Sequence, residues 1–129
     1  MKRYIFVLAA LILAIACNDI SHSPLDGKWQ LKTVEKNGVT TAVDTVWYNF
    51  QSSSVFSLQI YVLQWDSVLN LYGLKTQTDN VIDINLIEEA YLDMIDWNGT
   101  NRRFTIDMIE GDKLKLLSAE GYNYSFIKF

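Results

Sequence analysis

Alternation of apolar and polar side chains at period two constrains this chain more than any other feature of it. Trp29 and Leu31 alternate with Lys28, Gln30 and Lys32 up to Asn37-Gly38. Val46, Tyr48 and Phe50 alternate with Trp47, Asn49 and Gln51. Phe56, Leu58, Ile60 and Val62 alternate with Ser57, Gln59 and Tyr61. The pattern is weaker over Leu69 to Leu74 and clear again at Ile82, Ile84 and Leu86. It returns at Phe104, Ile106 and Met108, at Leu114 and Leu116, and in the closing "YNYSFIKF". Successive strand side chains point to opposite faces, so each run predicts a half-buried strand. Phe56, Ile60, Phe104 and Met108 are expected inside.

Short turns separate the runs, "SSS", Asp66-Ser67, Glu110-Gly111-Asp112 and Glu120-Gly121 among them. One segment departs from the rhythm. In "LIEEAYLDMIDW", residues 86–97, Ile87, Tyr91 and Met94-Ile95 recur at helical spacing, and Asn98-Gly99 follows as a stop. The expectation is an all-β fold of about eight antiparallel strands with one short helix. A meander this regular removes its open edges by closing into a small up-and-down barrel, with a β-sandwich as the alternative.

The chain opens Met1-Lys2-Arg3 and continues "YIFVLAALILAIAC" from Tyr4 to Cys17 without a charge. Those residues as a helix would span about 21 Å at roughly 1.5 Å each. A bilayer core needs about 30 Å. Two cations, a short apolar run and small residues before a break are the plan of a secretory signal. Cys17, the only cysteine, directly follows Ala14-Ile15-Ala16. The stretch "LAIACN" resembles the lipobox of bacterial lipoproteins, with Leu13 four places before the cysteine. That resemblance implies a leader over 1–16, a diacylated Cys17 as the mature N-terminus, and a membrane as partner through that lipid. Asn18, in place of an inner-membrane retention Asp, points to the outer membrane of the cell envelope. Residues 17–24 read as the lipidated Cys and a polar stalk ending at Pro24, and residues 25–129 as one domain.

Without Lys2 and Arg3 the eleven cations fall to nine against fifteen acids, a net charge of −6. An acidic domain whose longest cationic cluster is Arg102-Arg103 is a poor partner for nucleic acid. His22, the only histidine, falls in the stalk, and a lipid-capped Cys17 offers no thiolate. Nucleophile-histidine arrangements and His/Cys zinc sites are therefore not expected. Six acids lie between Lys75 and Arg102, namely Asp79, Asp83, Glu88, Glu89, Asp93 and Asp96. Their spacing does not match a calcium loop, and they read as a solvated face. No catalytic residue, metal site or cofactor is expected.

Aromatic residues are the richer resource. Trp47, Trp65, Trp97, Tyr48 and Tyr124 are the candidate ligand-binding residues, since they could line a barrel mouth for a small apolar ligand or sugar. The alternative is that large aromatics fill the core. Strands of about seven residues, tilted about 40°, give a barrel only about 18 Å tall, which favours filling.

Gly27-Lys28-Trp29 at the first strand resembles the Gly-x-Trp signature of the lipocalins. The stretches "LDGKWQLKTVEKNG", "WYNFQSSSVFSLQIY" and "FTIDMIEGDKLKLLSAEGYNYSFIKF" resemble the small lipocalin-like domains of lipoproteins from gut Gram-negative bacteria. The likeness implies that Trp29 plugs one barrel end. It also implies a cation from the last strand over that ring. No arginine follows Arg103, so Lys128 would supply it. Two functions fit: a non-catalytic envelope module that binds a small apolar or aromatic ligand, or an accessory lipoprotein with a filled core that contacts another envelope protein.

Overall fold

The computed structural model describes residues 23–52 and 54–129. The leader over 1–16, Cys17, and the stalk through His22 lie outside the described residues. Nine strands follow one another: β1 (Gly27–Lys36), β2 (Val39–Ala42), β3 (Val46–Phe50), β4 (Val55–Val62), β5 (Ser67–Thr78), β6 (Val81–Leu86), β7 (Asn101–Glu110), β8 (Lys113–Ser118) and β9 (Asn123–Lys128).

Each strand from β3 to β8 pairs antiparallel with the next, and β1 pairs with both β3 and β9. That last pairing closes the ring, where a sandwich would leave β1 and β9 as edges. The fold is a closed eight-strand antiparallel barrel. β2 adds no wall of its own. It pairs with the upper part of β1 (Lys36↔Val39 to Thr33↔Ala42), and β3 pairs with the lower part (Gln30↔Trp47 to Gly27↔Phe50). β2 and β3 are thus one strand, bent at residues 43–45. The β1–β2 turn, Asn37-Gly38, is left-handed at both residues (φ 52° and 81°). This conformation matches the twist of a two-residue hairpin, and Asn-Gly favours it.

The inward set expected on β4 is buried, with Phe56 and Leu58 at 0%, Ile60 at 5% and Val62 at 6% exposure. Aromatic rings fill the centre. Tyr48 is the hub, with the rings of Phe126 (4.8 Å), Phe56 (5.6 Å), Phe104 (6.0 Å) and Trp97 (6.3 Å) around it. Rings at these separations add about 0.5–1.5 kcal/mol per pair beyond their burial.

Two sequence expectations are corrected. Met108 is not interior. A bulge between Ile106 and Met108 shifts the register, so Met108 pairs with Lys115 and Ile109 pairs with buried Leu114. One extra residue on β7 turns the alternation over, and Ile109 packs on the core in place of Met108. The helical spacing over 86–97 yields only one 3-10 turn, Leu92–Met94. Tyr91 is left-handed (φ 67°), which stops an α-helix there, and Trp97 is drawn into the core at 4% exposure. Tertiary burial overrides so short a local preference.

Candidate functional site

The barrel has a closed end and an open end. Leu25, Trp29 and Phe50 shut the closed end, all fully buried. The Trp29 indole donates to the Leu25 carbonyl at 2.9 Å. Lys128 lies 4.6 Å from the Trp29 ring centroid and donates to the Asp26 carbonyl at 2.5 Å. Gly27 allows that approach, since a Cβ there would meet the Lys128 ammonium at 2.7 Å. Lys75 points inward on β5 beside the Phe50 ring, 5.6 Å from its centroid, and is almost wholly buried. Burial pushes its ammonium below the ordinary lysine range, and the charge of Asp26 opposes the shift.

At the open end the loop 87–100, between β6 and β7, crosses the barrel mouth. Trp97 is its plug. Its indole donates to the Tyr48 hydroxyl at 3.1 Å, which satisfies a buried donor. Asp96, next to it, is held three ways. Its carboxylate accepts the Tyr124 hydroxyl proton at 2.5 Å and lies 3.2 Å from the Lys36 ammonium. Its carbonyl accepts from Arg102 at 3.0 Å. Arg102 also donates to the Tyr124 oxygen at 2.6 Å, linking all three groups. Glu120 completes the cluster, 3.4 Å from the Arg102 Nε.

Both phenols are held neutral well above physiological pH. Burial raises Tyr48 first, and the Asp96 charge adds to it. Burial raises Tyr124 likewise, with the hydrogen bond to Asp96 second. A buried tyrosinate next to a carboxylate is doubly unfavourable.

Beside this latch, a pocket of about 400 Å³ opens between the β1–β2 hairpin, β3 and the crossing loop. Leu31, Val34, Val46 and Leu58 line it with Tyr48, and Met94 and Ile95 cover it from the loop. Lys36, Asp93 and Asp96 stand at its polar side. Its volume lies in the range of small-molecule sites, and apolar side chains outnumber the polar ones in its lining, where Thr41 and Thr45 join the charged groups. The Tyr48 hydroxyl accepts from Trp97. Among the described residues it donates to no group. It is therefore a neutral donor with a free proton in a residue that lines the pocket.

The five candidate aromatics divide in two. Tyr48, Trp97 and Tyr124 come together in the latch and the core under it. Trp47 sits outside the barrel on β3, with its ring edge-on to Phe129 and near Lys28. Trp65 is exposed in the β4–β5 turn, edge-on to Tyr91 at 5.7 Å. Sequence reasoning missed Lys36, Asp96 and Arg102 as site residues. A signal for Arg102 existed, since it has the same strand parity as Phe104 and therefore points inward. The six acids do not converge: Asp83 pairs with Arg103 at 2.8 Å, and Asp96 joins the latch. Among the described residues no group of three or more His, Cys, Asp and Glu side chains could hold a metal ion.

Comparison with known proteins agrees with this architecture. A crystal structure of a lipocalin-like protein from Bacteroides uniformis ATCC 8492 superposes with a TM-score of 0.75 at 27% identity. The match covers 83% of this chain and 100% of that one. An uncharacterized protein from Bacteroides eggerthii DSM 20697 shares the fold, with a TM-score of 0.69 at 24% identity. That match covers 81% of this chain and 98% of the other. None of the curated proteins matches the chain. The family described as "Lipocalin-like domain" matches residues 11–129. This chain belongs to the lipocalin-like domain family.

Proposed function

We propose that the protein is a non-catalytic binding module of the cell envelope, tethered by a lipid on Cys17, that holds a small apolar ligand at the barrel mouth. The observation that carries this reading is the apolar pocket over Leu31, Val46 and Leu58, with Tyr48 among its lining residues. The barrel centre is filled by rings, so the ligand sits beside the plug rather than in a hollow interior. Lys36 is already paired with Asp96, and Asp93 adds a second carboxylate. A fatty-acid carboxylate would meet net negative charge there. The ligand class is therefore uncharged, with a hydrogen-bond acceptor for Tyr48 and an apolar body.

Titration with the neutral fluorophore N-phenyl-1-naphthylamine tests the pocket. Saturable binding that is lost in Val46→Trp, which fills the space, supports it. Binding unaffected by that substitution would overturn it. The tether has a separate test. Wild-type cells fed a fatty-acid analogue should label the protein, and Cys17→Ser should carry no label. Equal labelling of both removes the anchor from the account.

A second reading is an accessory lipoprotein that contacts another envelope protein. The filled core favours it, because it leaves the outer surface as the larger resource.

A further inference from the structure

The outer surface of the barrel is divided by charge. On β7, β8 and β1 the outward positions carry Arg103, Asp107, Lys113, Lys115 and Lys28. On β3, β4 and β5 the outward positions carry no Asp, Glu, Lys or Arg. In their place stand large apolar side chains. Val68, Tyr72 and Leu74 project from β5 at 49%, 54% and 57% exposure, with Val55 opposite Leu74 across the β4–β5 pair. The exposed Trp65–Tyr91 pair continues this face at the open end. Six of the eleven exposed large hydrophobics among the described residues thus belong to one face. In its middle Gln59 donates to the Asn70 side-chain oxygen at 2.7 Å, while the Gln59 oxygen is buried without a partner among the described residues.

A contiguous apolar face of this kind on a small domain marks an interaction surface. We propose that a second copy of this chain covers it, wall against wall about a two-fold axis near Tyr72. A two-fold contact brings a surface onto itself, so it must be self-complementary. A chain of net negative charge meets its own copy with least repulsion where it carries no charge, and the outward strand positions of the β3–β5 wall are such a place. Asp66, which accepts the Tyr61 hydroxyl proton at 2.6 Å, is the carboxylate at the open-end border of this face. A membrane surface is the poorer occupant, since peripheral docking to anionic lipid relies on Lys and Arg beside the apolar residues.

Photocrosslinking of the full chain in a Gram-negative host tests this. A benzoyl-phenylalanine at position 72 should give an adduct of twice the chain mass that contains peptides of this chain alone. The same probe at position 115, on the charged wall, should not. Leu74→Lys in the position-72 background should abolish the adduct, and Leu74→Met should keep it. Leu74 is exposed, so neither change disturbs the core. Adducts to lipid or to a different protein, no adduct, or equal yields from positions 72 and 115 would each overturn the proposal.

Discussion

The indole of Trp97 donates a hydrogen bond to the hydroxyl of Tyr48 at 3.1 Å, joining the loop over the barrel mouth to the hub of the aromatic core across 49 residues of sequence. Trp97→Ala should therefore cost about 3–5 kcal/mol, as loss of a large core ring does. Trp97→Phe keeps a ring, loses the bond, and should cost about 0.5–1.5 kcal/mol from that bond. Urea midpoints of the two variants check the order. Equal shifts would mean that the ring contributes nothing beyond its hydrogen bond.

The bulge on β7 makes a sharper test of register. Ile109 faces the core and Met108 faces out beside Lys115. Ile109→Asp puts a carboxylate against apolar side chains, and burying even a neutral polar group without a partner costs about 1–3 kcal/mol. Met108→Asp should change stability by about 0.5 kcal/mol or less. The reverse order in denaturant titrations would restore unbroken alternation along β7.

That bulge also shows where the sequence stops being informative. Strand positions, the barrel and the inward faces of β3, β4 and β6 follow from side-chain parity, because burial selects apolar residues every second position. A bulge leaves no such mark in "FTIDMIEGD", where Ile106, Met108 and Ile109 are all apolar. The mouth was half legible. Tyr48 and Tyr124 have the inward parity of their strands, and Trp97 follows from nothing local, since only the loop's tertiary fit carries it into the core. Lys36 and Asp96 read as surface charges until the loop brings the Asp96 carboxylate to Lys36 and its carbonyl to Arg102.

At the closed end, the Lys128 ammonium over Trp29 stands where the lipocalin resemblance requires a cation. Lys128→Met should lower stability by about 0.5–2 kcal/mol, the range for such a contact. Lys128→Arg keeps the charge over the ring and should recover most of it. Thermal midpoints that rank Met equal to Arg would mean the cation contributes nothing.

Alkaline pH separates the buried phenols from the buried ammonium. Tyr48 and Tyr124 are raised in the folded protein, so the unfolded chain loses those protons first, near the ordinary 10.0. Their contribution is complete below that pH and is lost above it, by up to about 1.4 kcal/mol per pH unit for each group. Lys75 has the opposite sign. Its folded value is lowered, so its cost is relieved as pH rises towards 10.5. The urea midpoint should fall steeply only above about pH 10, and Tyr48→Phe should make that fall shallower. An unchanged slope in Tyr48→Phe would mean that its phenol is not held neutral by the core.

A ligand of the kind proposed would lie at the mouth, against Leu31, Val34, Val46 and Leu58, beside the plug and not in the barrel centre. Methyl NMR spectra recorded while the neutral fluorophore is added test it most directly. Saturable shifts are expected in the methyls of those four residues and of Ile95, with Leu71 and Ile82 deeper in the barrel and Leu74 on the outer wall unmoved. Shifts centred on Leu74 and Val68, or on Leu71 and Ile82, or none at saturating fluorophore, would contradict it.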